Sequence, residues 1–536
     1  MSDILPPDLN PRQLEAATHP GGPLLITAGA GSGKTKTLTS RLLHLISIGT
    51  LPESIIAITF TNKAASEMKE RAERLIKNKS DSMPFIGTFH SFGARILRSE
   101  AKTLGRTPGF TVFDEDDSIR LIKNIIKKEN LDPKKYPYKI IRHKISKVKN
   151  ELISPDEDED DLLPQLFFLY EESLKAQNGF DFDDLVQKPV SIFLSDENII
   201  NKYRNRFNHI LVDEYQDINT AQYRLIRLLA QNHRNLTVVG DDHQSIYGFR
   251  WSDFRNFLNF EKDWPDAKTV VLDQNYRSTK NIVSAASAVI SNNKCQRPKT
   301  LWTENREGNP IKVAGFETAE GEADWIASAI SPEKRISSAI LYRTNAQSRP
   351  IEQALIFNRI PYVIFGGLRF YDRKEIKDII AALRVAANPL DEISKERLLK
   401  EFRKTKIRPI IDELPKMGEV CSPMELIGYI LKETDYIASL KTDFKNAEER
   451  IENVSELISY AESFNSLSEF LERVSLLQST DQPKGEGAVR LMTIHMAKGL
   501  EFGNVFIAGA SDGILPHERS LFKIADLEEE RRLMYV

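Results

Sequence analysis

Short runs of aliphatic residues alternate along the chain with longer stretches whose apolar positions recur every three or four residues. The first run, 24–28, reads Leu-Leu-Ile-Thr-Ala, nearly apolar throughout, as expected of a strand covered on both faces. Residues 34–48 then place Leu38, Leu42, Leu45 and Ile46 along one side of a helix. Residues 55–60 predict another buried strand, and Asn62 is placed to cap the helix after it. Runs at 210–212, 236–239 and 269–272 continue the series. Strands alternating with helices predict a parallel α/β sheet, with ligands at the carboxyl ends of its strands.

The alternation lapses twice. Residues 96–184 are helical in pattern and highly charged. Within them, 120–149 carry eleven Lys or Arg against two acids, and 151–161 carry seven acids. Such runs fit solvated helix faces joined by an acidic loop, or a basic surface beside nucleic acid. A second strand series follows at 311–314, 338–342, 362–365, 489–493 and 505–508, interrupted by a charged helical stretch from 369 to 484. The expected organisation is therefore two sheet domains, each with a helical insert. The first takes 1–95 and 185–270, with its insert at 96–184. The second takes 271–368 and 485–536, with its insert at 369–484.

Bulk properties narrow the class without naming it. At 536 residues the chain exceeds one ordinary core. Its net charge is −3, so a polyanion needs a local groove rather than a global field. The two cysteines, Cys295 and Cys421, form no paired metal-binding motif, and a reducing cytoplasm is the expected compartment. No apolar run approaches the roughly 18 residues of a membrane span, and the opening residues lack a signal-peptide pattern.

Two motifs carry chemistry. Residues 28–35 read Ala-Gly-Ala-Gly-Ser-Gly-Lys-Thr after the first strand and open the first long helix. Gly31 and Gly33 permit a left-handed backbone that turns amides toward phosphate. Lys34 is suited to the β- and γ-phosphates of ATP and Thr35 to magnesium (Mg2+). Ala28 stands where the first glycine of the motif is usual, and a small residue suffices there. Residues 213–217 read Asp-Glu-Tyr-Gln-Asp at the end of Ile-Leu-Val. Asp213 is placed to hold magnesium through water, and Glu214 to orient or deprotonate the attacking water. The amide of Gln13 suits recognition of adenine.

Residues 240–250 read Gly-Asp-Asp-His-Gln-Ser-Ile-Tyr-Gly-Phe-Arg. Gln244 follows a strand expected beside Asp213 and is a candidate γ-phosphate sensor. Tyr247, Phe249 and Trp251 follow among polar residues, and an exposed aromatic ring stacks on any base. One segment thus joins phosphate sensing to base stacking.

With these motifs the chain resembles superfamily 1 DNA helicases of the UvrD/Rep/PcrA type. The resemblance rests on ten segments in family order across nearly the whole chain: 9–13, 28–35, 59–65, 87–92, 182–185, 213–217, 240–250, 275–278, 341–349 and 493–502. It implies two RecA-like P-loop domains, α/β in class, with ATP between them. By matching position, Gln13, Ala28, Gly29, Ala30, Gly31, Ser32, Gly33, Lys34, Thr35 and Lys36 would surround the nucleotide. Tyr276 would stack on adenine, Arg277 would reach the γ-phosphate from the second domain, and Glu501 would touch the ribose side. Phe60, Asn62, Lys63, His90, Tyr247, Phe249, Arg343 and His495 would bind DNA. The implied substrates are single-stranded DNA and single/double-strand junctions, the implied polarity 3′→5′, and the implied partners repair or replication proteins.

The sequence also departs from the family pattern. Lys36 stands where Arg is usual, His243 where an acid is usual, and Trp251 where glycine is common. The insert at 369–484 is shorter than expected. The last residues, 528–536, form the start of a helix that in the family runs on to a second arginine finger, worth roughly 10³–10⁵ in rate where present. Two expectations follow: the sequence is a piece of a longer product, or it is a DNA-binding regulatory protein with weak ATP turnover.

Overall fold

The computed structural model describes residues 5–60, 62–76, 82–158, 161–344, 347–365, 373–402, 404–443, 447–462, 464–477 and 488–536. In chain order its strands are β1 (Leu24–Ala28), β2 (Ile55–Ile58), β3 (Phe85–Gly87), β4 (Thr111–Phe113), β5 (Gly179–Asp181) and β6 (His209–Val212). Then come β7 (Leu236–Gly240), β8 (Lys268–Leu272), β9 (Ser338–Tyr342), β10 (Tyr362–Ile364), β11 (Val489–Thr493) and β12 (Asn504–Ile507). They form a six-stranded sheet ordered β3-β2-β6-β7-β1-β8, a four-stranded sheet ordered β10-β11-β9-β12, and the pair β4-β5. All the pairings are parallel.

The first sheet is covered on both faces, which is why its strands read as continuous apolar runs. Leu24, Ile26 and Ala28 of β1 join the core that holds Leu38, Leu42 and Leu45 of the helix Lys34–Ser47. Leu25, between them, faces the opposite core with Phe92, Leu185 and Phe193. Alternate side chains of a strand point to opposite faces, so one run feeds both cores. Burying each of the three helix leucines stabilises the fold by about 1.5–3 kcal/mol. β8 runs on to Leu272, past the expected domain edge at 270.

Two expectations about strands are corrected. Residues 311–314 form no strand; Ile311 is 53% exposed and Val313 96% exposed. An apolar run becomes a strand only where a neighbour completes its hydrogen-bond ladder, and none does so here among the described residues. Conversely, β4 and β5 lie inside the stretch expected to be helical. The expected strand 55–60 stops at Ile58, which frees Phe60 from the sheet.

Both inserts are mainly helical. The first includes the helices Glu115–Lys128, Tyr138–Glu151 and Leu163–Ala176 around a core of Leu121, Ile145 and Tyr170. Its basic run is not all surface. Lys149 is 1% exposed and pairs with Asp181 at 2.9 Å, Asp184 at 2.8 Å and Glu171 at 2.7 Å. Burial opposes its charge, but the three carboxylates hold its pKa well above the usual lysine value. The second insert packs Ile379, Leu383, Leu414 and Leu457 into a separate core. The two inserts touch through the buried Arg384–Asp117 pair, and through Asn388, whose amide donates to Thr111 Oγ1 at 2.8 Å.

Among the described residues no helix is long and apolar enough to cross a membrane.

Candidate functional site

The glycine loop leaves β1 at the carboxyl edge of the first sheet and turns into the helix Lys34–Ser47. Gly31 (φ +66°) and Gly33 (φ +82°) both take the left-handed conformation. A Cβ on Gly31 would lie 2.7 Å from Arg277 Cβ, so a side chain there would collide. Gly33 caps the helix without a side-chain hydrogen bond, which leaves the first-turn amides and the positive helix end for an anion.

β6 lies two places from β1, and its end brings the acidic pair to the loop. Thr35 Oγ1 donates to Asp213 Oδ2 at 3.2 Å, and Lys34 Nζ donates to Glu214 Oε2 at 3.4 Å. Glu214 itself sits at φ +49°, a strained backbone for a non-glycine residue and a mark of a site over-determined by its surroundings. Burial raises the pKa of Asp213 to about 7, and the neighbouring Glu214 charge adds to the rise. Burial acts the same way on Glu214, but the Lys34 ammonium and then Lys498 pull it below the ordinary value. A buried carboxylate, Asp213, and its partly exposed neighbour Glu214 thus share one close cation, a charge balance that another cation would improve. Among the described residues no group of three or more His, Cys, Asp or Glu could hold a metal alone. A hydroxyl and a carboxylate of hard oxygens nevertheless suit magnesium, which commonly takes phosphate oxygens and water as its remaining ligands.

Around the loop the structure gathers further expected residues. Gln13 is 1% exposed; its amide donates to Ser32 O at 2.9 Å and accepts from Asn10 N–H at 3.0 Å. Here the Gln13 amide braces the loop. The Tyr276 amide donates to Gly31 O at 2.9 Å, and its ring is 47% exposed beside Asn10 and Gln274. Arg277 follows β8, and Glu501, beyond β11, accepts from its Nε at 2.7 Å. Lys36 turns away to Asp8 at 2.6 Å.

Beyond β7, Gln244 donates to Asp241 Oδ2 at 2.5 Å. Asp241 and Asp242 are buried against Lys299. Burial works against the Asp241 charge, yet Lys299 holds its pKa down to about 2. His243 is 4% exposed, edge-on to Tyr535 at 5.5 Å, and burial lowers its pKa.

The aromatic residues then fall into two groups. Tyr247 stacks on Phe60 (5.3 Å between centroids, 16° between planes), and Phe249 meets Tyr247 at 6.1 Å and His495 at 5.4 Å. Arg250 lies over both Tyr247 and Phe249. Phe249 is 57% exposed, so this cluster presents a ring to solvent. His90 stands apart, stacked on Phe182 at 3.8 Å. Trp251 pairs with His143 of the first insert at 4.5 Å. Arg343 is held by Glu530 at 2.8 Å. The side chains of Asn62 and Lys63 lie outside the described residues.

Sequence reading missed the groups that tie these parts together. Gln216 donates to Glu214 at 2.6 Å and to Asp217 at 2.9 Å, and accepts from Asp241 N–H at 2.9 Å. Lys498, beyond β11, pairs with Asp217, donates to Gln244 O at 2.6 Å and lies 4.9 Å from the Tyr247 ring centre. The signal available for Gln216 and Asp217 was their place in the pentapeptide, and for Lys498 its place in 493–502.

A parallel sheet with a glycine loop after one strand and an acidic pair after another, joined to a second parallel α/β sheet, defines a P-loop nucleoside triphosphatase of two RecA-like domains. Comparison with known proteins is more specific. Residues 9–265 match the UvrD/REP helicase N-terminal domain, and residues 270–434 and 430–536 match the UvrD-like helicase C-terminal domain. An ATP-dependent DNA helicase PcrA of Bacillus subtilis (strain 168) is 40% identical over 605 aligned positions, covering 100% of this chain and 82% of that protein. The helicase of the same name from Staphylococcus aureus (strain MRSA252) is 38% identical, covering 98% of this chain and 81% of its own length. The chain belongs to the UvrD/REP helicase family.

Proposed function

We propose that this protein is an ATP-dependent DNA helicase that translocates 3′→5′ along single-stranded DNA, acts at single/double-strand junctions in the cytoplasm, and serves DNA repair, replication or recombination. Family membership supports the reaction class and the polarity. The observation that carries the reading is the join between two chemistries. Lys34 and Glu214 meet at 3.4 Å in the phosphate-loop site, and Tyr247, beyond the neighbouring strand β7, stacks on Phe60 in a cluster with an exposed ring.

In this reading Lys34 holds the β- and γ-phosphates, and Glu214 orients the attacking water and takes its proton. Thr35 and Asp213 would hold magnesium, which would neutralise phosphate charge. Gln13 fixes the loop beside the base, and Tyr276 offers an exposed ring to it. Arg277 exchanges Glu501 for the phosphates. Gln244 reports the phosphate state through Asp241. Phe60, Tyr247, Phe249 and His495 hold bases by stacking, with Asn62, Lys63, His90 and Arg343 flanking the strand path. Phosphate takes cations that otherwise join acids of the two lobes, so turnover changes how the lobes hold each other.

The test is ATP turnover with and without a dT oligonucleotide, followed by strand displacement on duplexes with a 3′ or a 5′ tail. DNA-stimulated turnover and unwinding of the 3′-tailed duplex are expected. Turnover indifferent to DNA, or unwinding confined to the 5′ tail, overturns the reading.

A further inference from the structure

One continuous chain of polar contacts runs from the phosphate loop to the base-stacking ring, and it passes through the second sheet. Lys34 Nζ meets Glu214 Oε2 at 3.4 Å, and the same oxygen accepts from Gln216 Nε2 at 2.6 Å. That nitrogen also donates to Asp217 Oδ2 at 2.9 Å, and Asp217 Oδ2 pairs with Lys498. The Lys498 ammonium lies 4.9 Å from the centre of the Tyr247 ring and donates to the Gln244 carbonyl at 2.6 Å.

We propose that Gln216, Asp217 and Lys498 are positioning residues that couple the nucleotide state at Lys34 to the grip of Tyr247 on a base. The proposal rests on the helicase reading above, because it assigns a route between the two sites which that reading requires.

Three observations support this route. First, its central acid is buried: Asp217 is 3% exposed, and its Oδ1 has no hydrogen-bond partner. A buried carboxylate left half-satisfied depends on the partners it has, so Asp217 follows Lys498 closely. Second, the amide nitrogen of Gln216 gives one N–H to Glu214 and the other to Asp217, and its oxygen accepts from the Asp241 amide. When phosphate draws Lys34 away, Glu214 loses its close cation and pulls harder on Gln216, whose other N–H is fixed to Asp217. Third, Lys498 is anchored beyond β11 of the second sheet, whereas Asp217, Gln244 and Tyr247 follow strands of the first. Any change in how the sheets sit reaches Tyr247 through this ammonium, because a cation facing an aromatic ring is attracted to it. Burial pushes the pKa of Asp217 up to about 6, with Lys498 opposing the rise.

The experiment measures ATP turnover of the full chain with and without a dT oligonucleotide, in wild type, Lys498→Met and the double variant Asp217→Asn/Lys498→Met. Stimulation, taken as the ratio of turnover with and without DNA within each variant so that a changed basal rate cancels, is expected to fall about tenfold in Lys498→Met, the size of ordinary allosteric coupling. The double variant removes both buried charges together. A merely structural role for the ion pair predicts that stimulation recovers in it; the relay predicts that stimulation stays lost. Recovery in the double variant, or full stimulation in Lys498→Met, overturns the relay. Should Lys498→Met unfold, the charge-balanced double variant still decides. A wild-type protein that DNA does not stimulate removes the helicase reading and the relay with it, a different result from a stimulated wild type whose variants match it.

Discussion

The two sheets differ in what stands at the ends of their strands. In the six-stranded sheet, β6 is followed by Asp213 and Glu214, the latter meeting Lys34, and β7 by Asp241 and Asp242, both buried against Lys299. In the four-stranded sheet, β9 is followed by Arg343, and β11 by His495 and Lys498. The first edge gathers acids, Asp213, Asp241 and Asp242 among them buried; the second brings cations and a ring, with Glu501 taking up Arg277. Buried acids are stable only when paired, so Lys498 stabilises a charge on the first sheet by reaching across from the second. A polyphosphate competes with Glu214 for Lys34. The contrast assigns fixed chemistry to one sheet and the adjustable contacts to the other.

The sharpest way to break this division is Lys34→Ala. If the first sheet owns the chemistry, ATP turnover falls by about 10²–10³-fold or more, as when a charge-stabilising donor is removed. Binding of a dT oligonucleotide, measured by anisotropy without nucleotide, should hardly change. Turnover that survived would deny the first sheet its role. The converse is Tyr247→Ala, which removes the ring stacked on Phe60. It should cost about 1–3 kcal/mol of single-strand affinity, the usual worth of one stacked base. ATP turnover without DNA should persist. Equal losses of both activities would mean that the sites are not separable.

Packing sharpens the same contrast. A Cβ on Gly93 would lie 1.6 Å from the Leu185 carbonyl oxygen, where the helices Phe89–Glu100 and Asp184–Ser195 cross within the first domain. Backbone cannot yield there, so Gly93→Ala should destabilise by about 1–3 kcal/mol or more. A Cβ on Gly248 meets Glu529 Oε2 at 2.5 Å, at the contact with the helix Ile524–Tyr535. That carboxylate is the far end of a side chain and can swing, so Gly248→Ala should cost under about 1 kcal/mol. Urea titrations of the two variants compare a rigid interior with an adaptable contact.

How much of this was legible depends on how local the cause was. β1 and β6 could be read because strands covered on both faces are apolar at almost every position. Lys34, Thr35, Asp213 and Glu214 could be read because their spacing along the chain already fixes the chemistry. The run 311–314 misled because its pattern says nothing about a ladder partner. β4 and β5 were hidden because three-residue strands leave almost no periodicity. Lys149 sat in a basic run and could not be told from surface, since two of its three acids, Asp181 and Asp184, lie 32 and 35 residues away. Lys498 is farther still from its partner, 281 residues from Asp217. Spacing in sequence does not show contacts of that kind; only the fold does.

The smallest expected effect is acid sensitivity. Burial lowers the pKa of His90, His209 and His233 to about 4, and Arg41 adds to the effect at His209. All three belong to the region of the first sheet; in the second, burial and then Arg343 lower His495 to about 4 as well. Unfolding returns each to the ordinary value near 6.5. Each histidine therefore binds its proton first in the unfolded chain, and its contribution to stability falls as pH drops from 6.5 to 4; Asp213, raised to about 7, and Asp217, raised to about 6, contribute the opposite sign. Urea midpoints of wild type and His209→Gln at pH 7 and pH 5 measure the histidine part. Hydrogen exchange then locates it, with amides of β2 and β6 expected to lose more protection than those of β9 and β11. Equal loss in both sheets would show that the histidines do not set the difference. His209→Gln, which cannot take up a proton, should flatten the dependence for β6 and leave β11 as it was.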